Sequence, residues 1–136
     1  MADERNVVRV GSAAIVENSE GKFLIGKRGV WPKDMWVFPG GGVNYGETSR
    51  DAVLRELKEE TGLEIEPTEL IKVEEMIVPE NNVHRVIFFY KAKVIGGKEN
   101  PSSDIAELRW LTPEEILKLP NLGHTVKSIM KAANLI

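Results

Sequence analysis

Four carboxylates, Glu47, Glu56, Glu59 and Glu60, fall within fourteen residues, and Arg55 stands among them. Glu56, Glu59 and Glu60 have the spacing i, i+3, i+4, which on a helix puts them on one face. Three such carboxylates repel one another by a few tenths of a kcal/mol per pair. The chain must leave them in water or supply a cation. Oxygen-only clusters suit Mg2+ or Mn2+, ions that commonly share their coordination with substrate phosphates. The competing reading is a solvated helix face, with Asp51–Arg55 and Arg55–Glu59 as i,i+4 ion pairs. Gly40, Gly41 and Gly42 precede the run and let a backbone carbonyl approach a bound ion closely.

The element that must carry these groups is a helix. No Pro or Gly interrupts residues 48–61. Thr48 is placed to cap its start, with Asp51 three positions on, and Gly62 is placed to end it in a left-handed turn. Val53 and Leu57, one turn apart, give a neighbouring face something to bury. The order is G-x5-E-x7-R-E-U-x-E-E-x-G-U, with U aliphatic, running from Gly41 to Leu63. At average amino-acid usage, such a string arises by chance about once in a billion windows.

This stretch resembles the Nudix box of the MutT-like Nudix hydrolases at every defining position. The box covers 23 of 136 residues. The resemblance implies an α+β Nudix fold, a mixed β-sheet sandwiched between α-helices, in one domain spanning residues 1–136. It implies hydrolysis of the pyrophosphate bond of a nucleoside diphosphate linked to a group X, with Mg2+ or Mn2+ as cofactor. By the same resemblance, Gly40 offers its carbonyl to the metal and Glu56, Glu59 and Glu60 are ligands. Glu107, a carboxylate beyond the box, completes the set, with Asp104 as its competitor. Glu56 is the first candidate for the base and Glu107 the second. Arg55 orients Glu56 or its neighbours by charge-assisted hydrogen bonds, and Glu47 supports the helix region.

Around the box the chain reads as strands. Residues 7–16 and 22–28 form two, joined by the polar turn 17–21 into a hairpin. Arg28 ends the second and is a candidate phosphate contact, because guanidinium matches phosphate oxygens bidentately. In loop 29–35, Trp31 either stacks on a base or covers the sheet edge. Trp36 opens a short strand and reads as core. Residues 63–67 are a short extended segment, and 70–79 and 83–94 are strands joined by a turn. The second has a continuous apolar middle, Val86 to Tyr90, as expected of a central strand. His84 and Arg85 at its start face either the nucleotide or solvent. Residues 104–111 are a final strand. Thr112-Pro113-Glu114-Glu115 starts a short helix. Residues 125–135 form a closing amphipathic helix that buries Val126, Ile129 and Met130, and His124 at its start is a further candidate for the site.

Composition narrows the class. The net charge is −3, and no basic stripe favours nucleic acid. There is no cysteine, which removes disulfides, thiol catalysis and zinc–thiolate sites. The polar start, MADERNVV, has no apolar core, so no leader peptide is expected, and no apolar run reaches the length of a membrane span. The expectation is a soluble cytoplasmic protein acting on a small nucleotide; family habit also allows a homodimer. Two substrate resemblances compete. VENSEGKFLIGKR followed by WVFPGGG, with NLGHT near the C-terminus, is similar to GDP-mannose mannosyl hydrolases, which attack the sugar carbon, although their box is degenerate and this one is intact. LIGKR with ENNVHRVIFFY is similar to the nucleoside triphosphate diphosphatases. A nucleotide-binding sensor is a third reading, disfavoured because no box carboxylate is missing.

Overall fold

The computed structural model describes residues 6–136; the first five residues of the polar N-terminal stretch lie outside them. Seven strands form one mixed sheet: β1 (Arg9–Glu17), β2 (Phe23–Arg28), β3 (Trp36–Val37), β4 (Gly40–Gly42), β5 (Leu63–Val78), β6 (Val83–Gly97) and β7 (Ile105–Leu111). The helices are α1 (Ser49–Thr61), α2 (Pro113–Leu117) and α3 (Val126–Ala132). The main path runs β3-β2-β1-β6-β5, with β4 paired to β1 and β7 to β2.

Alternation along β1 makes the sandwich. Ala14 and Val16 point to the α1 face, where Val53 and Leu57 meet Leu24, Leu63, Ile65 and Ala92. Ala13 and Ile15 point the other way, to Trp36, Phe38 and Phe89 and the buried Ile116, Ile129 and Met130 of α2 and α3. Each fully buried aliphatic side chain stabilises this arrangement by about 1.5–3 kcal/mol. The apolar run of β6 lies in the sheet interior, parallel to β1 and antiparallel to β5.

Two expectations change. The β1–β2 hairpin is paired only at Glu17↔Phe23. Beyond that point the strands splay, β4 fills the edge of β1 and β3 the edge of β2. This split places Gly40–Gly42 in the crack of the sheet. Second, residues 63–67 and 70–79 are one strand, irregular between Pro67 and Glu69 and between Leu70 and Lys72. Pro67 lacks an N–H, but β5 is the edge strand, where a proline is tolerated.

Candidate active site

Helix α1 starts and stops where its sequence dictates. The Thr48 hydroxyl accepts the Asp51 N–H at 3.0 Å. Gly62 takes φ 77° and donates its N–H to the Lys58 carbonyl at 3.0 Å. The helix thereby presents its three carboxylates unequally to the crack. Glu60 is 3% exposed, and its Oε1 accepts the Gly40 N–H at 2.8 Å. Glu56 lies against Gly41, so closely that a Cβ on Gly41 would overlap its carboxylate. Glu59, with a side chain 49% exposed, is the outer one.

Arg55 binds this cluster together. Its Nε and Nη2 donate to the two oxygens of Glu47, both at 2.9 Å. Nη2 also reaches the Gly42 carbonyl at 2.8 Å, and Nη1 reaches Glu56 Oε1 at 2.8 Å and Glu59 at 3.3 Å. One guanidinium therefore ties the glycine strand, the loop and the helix into a unit, as bidentate geometry permits. Its hydrogen bonds hold the Glu47 carboxyl down to about 2. Burial does the reverse to the other two. It raises Glu56 against the pull of Arg55, and it lifts Glu60 to about 8, with the charges of Glu56 and Asp104 adding to the rise.

A cleft of about 480 Å³ opens in front of this cluster, a size ordinary for a small-ligand site. Glu56, Glu60, Asp104 and Gly40–Gly42 line one end, with Arg28, Trp31 and His124 along its walls. Arg28 donates to the Trp31 carbonyl at 2.9 Å, and its buried Nε finds no partner among the described residues. Trp31 does not close the sheet edge; it is 64% exposed at the cleft. Met35, Met76, Val78 and Phe89 make an apolar wall.

Two candidates are placed elsewhere. Glu107 does not line the cleft. It pairs across the sheet with Lys27, 3.6 Å away, and with Arg109, whose guanidinium holds its carboxyl low. Its neighbour Leu108 packs on the α1 side, so Glu107 turns to the Trp36 side, where Arg109 covers the Trp36 ring at 4.8 Å. Its place on β7, paired to β2 off the main path of the sheet, keeps it out of the cleft. The competitor Asp104 occupies the cleft instead, at the end of a loop pinned to α1 by Asn100 N–H to Thr61 and Ser102 N–H to Glu60. His84 is likewise turned away, 3.8 Å from Glu75, because Val83, Arg85 and Ile87 take the cleft face of β6. Arg9 lines the cleft without having been singled out from the sequence. Its strand was legible, but its parallel pairing with a segment about eighty residues away was not.

Among the described residues, no three acidic, histidine or cysteine side chains stand close enough to cage a cation unaided. The donor set fits a hard cation of the kind that keeps waters and borrows substrate oxygens: the ligands are all oxygen, and the buried Glu60 and half-buried Glu56 carboxyls are both raised by their surroundings.

The NUDIX domain family model matches residues 7–132. The chain belongs to the Nudix hydrolase family. It is 36% identical over 112 residues to the phosphatase NudJ of Shigella boydii serotype 4, covering 82% of this chain and 73% of that one. The MutT NUDIX hydrolase of Burkholderia pseudomallei superposes with a TM-score of 0.83 at 28% identity, over 93% of this chain and 98% of that one. The MutT protein of Methanosarcina mazei Go1 shares the fold, with a TM-score of 0.81 at 23% identity, over 93% of each chain. Membership makes the chain a Nudix hydrolase, of a family acting on small nucleotides, and agrees with the α+β fold expected from the box. No described helix is long and apolar enough to cross a membrane.

Proposed function

We propose that this Nudix hydrolase cleaves the pyrophosphate bond of a nucleoside triphosphate or nucleotide-sugar by attack of water on phosphorus. The observation that carries the reading is the placing of Glu56 and Glu60 against Gly41 and Gly40 in a cleft that also holds Asp104 and Arg28. Glu56, Glu60 and the Gly40 carbonyl, with Asp104 in the place expected for Glu107 and Glu59 at the outer rim, would hold Mg2+ or Mn2+. Such an ion supplies charge neutralisation for phosphate oxygens and a more acidic water.

The protein's own groups do the rest. Glu56 takes the proton of the attacking water; its burial raises its basicity above that of a solvated carboxylate. Arg55 keeps Glu56 Oε1 in place through its 2.8 Å hydrogen bond and is a positioning residue. Arg28, with an unpartnered Nε, takes a phosphate oxygen. Trp31 offers its exposed face to a planar base.

The test is product analysis over a panel of nucleoside triphosphates, ADP-ribose, nucleotide-sugars and dinucleoside polyphosphates with Mg2+ or Mn2+, run beside Glu60→Gln. A nucleoside monophosphate product, lost in the variant, is expected. Release of free sugar with a nucleoside diphosphate would overturn attack on phosphorus. It would favour attack at the sugar carbon and make His124, which lines the cleft, the residue to test.

A further inference from the structure

The end of the cleft remote from the carboxylates has a character of its own. Arg9 and Arg85 are register partners on the parallel strands β1 and β6, and both line the cleft. Like charges side by side on a sheet oppose each other, so the fold carries a cost there that a ligand with acceptor atoms would relieve. The nearby acids of β5 are committed elsewhere. Glu75 sits beside His84, and Glu74 accepts the Ser128 hydroxyl at 3.0 Å and pairs with Lys72 at 2.7 Å. Among the described residues, the carboxylates that line the cleft are Glu56, Glu60 and Asp104, grouped with Gly40–Gly42 at the other end. Val83, Ile87, Met76 and Val78 flank the arginines. The result is a flat, apolar slot with a wall of donors at its far end.

Register gives the distance between the two ends. Gly41, against which Glu56 lies, and Gly40, which donates to Glu60, pair with Ser12 and Ala13. Arg9 lies three to four residues back along the same strand, roughly 10–13 Å at the rise of a β-strand. That matches the length of a nucleotide from its 5′ phosphorus to the far edge of a purine. With the phosphoanhydride at the carboxylates, the ring edge arrives at the arginines.

We infer that Arg9 and Arg85 read the base, selecting one whose far edge carries adjacent acceptors, as guanine and hypoxanthine do with O6 and N7, over adenine. Adenine presents an amino donor beside N7, and a guanidinium has no acceptor for it. The inference rests on the proposed hydrolysis for its orientation in the cleft, and it assigns specificity, not chemistry, to the pair.

The experiment compares kcat/KM for GTP, ITP and ATP in the wild type, Arg85→Met and Arg85→Lys. The same three proteins are then titrated with GMP and AMP, which need no turnover. Arg85 is exposed, so both variants should fold, and thermal melting checks this. GTP and ITP should exceed ATP by about 10- to 100-fold, the discrimination of one bidentate contact. Arg85→Met should bring GTP and ITP down to the ATP value while ATP moves by less than about twofold. Arg85→Lys, which keeps the charge without the fork, should recover only part of the difference. Equal rates for GTP and ATP in the wild type would overturn the inference, as would an equal loss on both in Arg85→Met. If neither the triphosphates nor the nucleotide-sugars of the panel are turned over but GMP outbinds AMP in an Arg85-dependent way, the inference stands and the hydrolytic reading fails. Equal binding of the two monophosphates overturns the inference whatever the turnover.

Discussion

At the carboxylate end of the cleft, Glu47, Arg55, Glu56 and Glu60 are each held by a partner. Arg55 spans Glu47, Glu56 and the Gly42 carbonyl, Gly40 holds Glu60, and Gly41 lies against Glu56 without room for a methyl group. At the other end, Trp31 stands 64% exposed, Arg9 and Arg85 are exposed, and the unbranched Met35 and Met76 stand in the walls beside Val78, Val83 and Ile87. One end is pre-organised and the other is adaptable. Chemistry that depends on placing water and phosphorus needs the first. Recognition of a ring by stacking and a few donors tolerates the second. Substitutions at the rigid end should therefore act on kcat, and substitutions at the open end on KM.

The largest effect should come from Glu60→Gln. Glutamine keeps the acceptor for the Gly40 N–H and removes the charge. Turnover should fall at least about a hundredfold, as for loss of a group that acts only through charge at a reaction centre. Stability should move the other way. A carboxyl that titrates near 8 when folded, against 4.5 in the open chain, holds its proton more tightly in the folded state. Metal-free protein is thus favoured at low pH and loses stability as pH rises from 4.5 towards 8. At pH 8 without metal, Glu60→Gln should be more stable than wild type by on the order of 2 kcal/mol, with the difference vanishing towards pH 4.5. Denaturant unfolding at both pH values in the presence of a chelator checks it. A variant no more stable at pH 8 would mean that burial does not strain this carboxylate.

Gly41→Ala tests rigidity more directly. The new methyl group would have to displace the Glu56 carboxylate, the far end of a side chain, and not backbone. The fold should survive while kcat falls roughly 10- to 100-fold, the cost of misplacing a reacting group by about 1 Å. Gly42→Ala is the control, since a Cβ there meets nothing within 4 Å; a loss of kcat in the control equal to that in Gly41→Ala would remove the contact as the cause. At the open end, Trp31→Ala should raise KM about tenfold, within the range measured for losing one stacked base, and leave kcat within about twofold. A fall in kcat with KM unchanged would place Trp31 at the rigid end.

The same contrast governs what the sequence could reveal. The rigid end is local: Gly40 to Gly62 is one continuous run whose caps, spacing and hub arginine are all legible from Thr48, Glu56, Arg55 and Gly62. The layering of helices on both faces was implied by the family resemblance, and the apolar positions Val53 and Leu57 of α1 and Val126, Ile129 and Met130 of α3 do face its two cores. The open end is assembled from β1, β5, β6 and loop 29–35, whose pairings join residues far apart in the chain. Whether Arg85 or His84 enters the cleft depends on which way one strand alternates, and a one-residue difference reverses it. Arg9 becomes a neighbour of Arg85 only through a parallel pairing that no short-range pattern encodes.

The sharpest small effect concerns β7. The family resemblance left Glu107 and Asp104 as competitors for the metal site. Asp104, in the loop before β7, lies close to Glu56 and Glu60, while Glu107 stands on β7 itself, between Lys27 and Arg109 and away from the cleft. An exposed pair of that kind contributes little to stability. Glu107→Gln should change kcat and KM by less than about twofold, while Asp104→Asn should lower kcat by about tenfold or more through the charge it brings to the carboxylate cluster. Both are read from steady-state kinetics at saturating Mg2+. If Glu107→Gln proves the more damaging, β7 must move when substrate binds, and the cleft would be completed by a strand rather than by the loop before it.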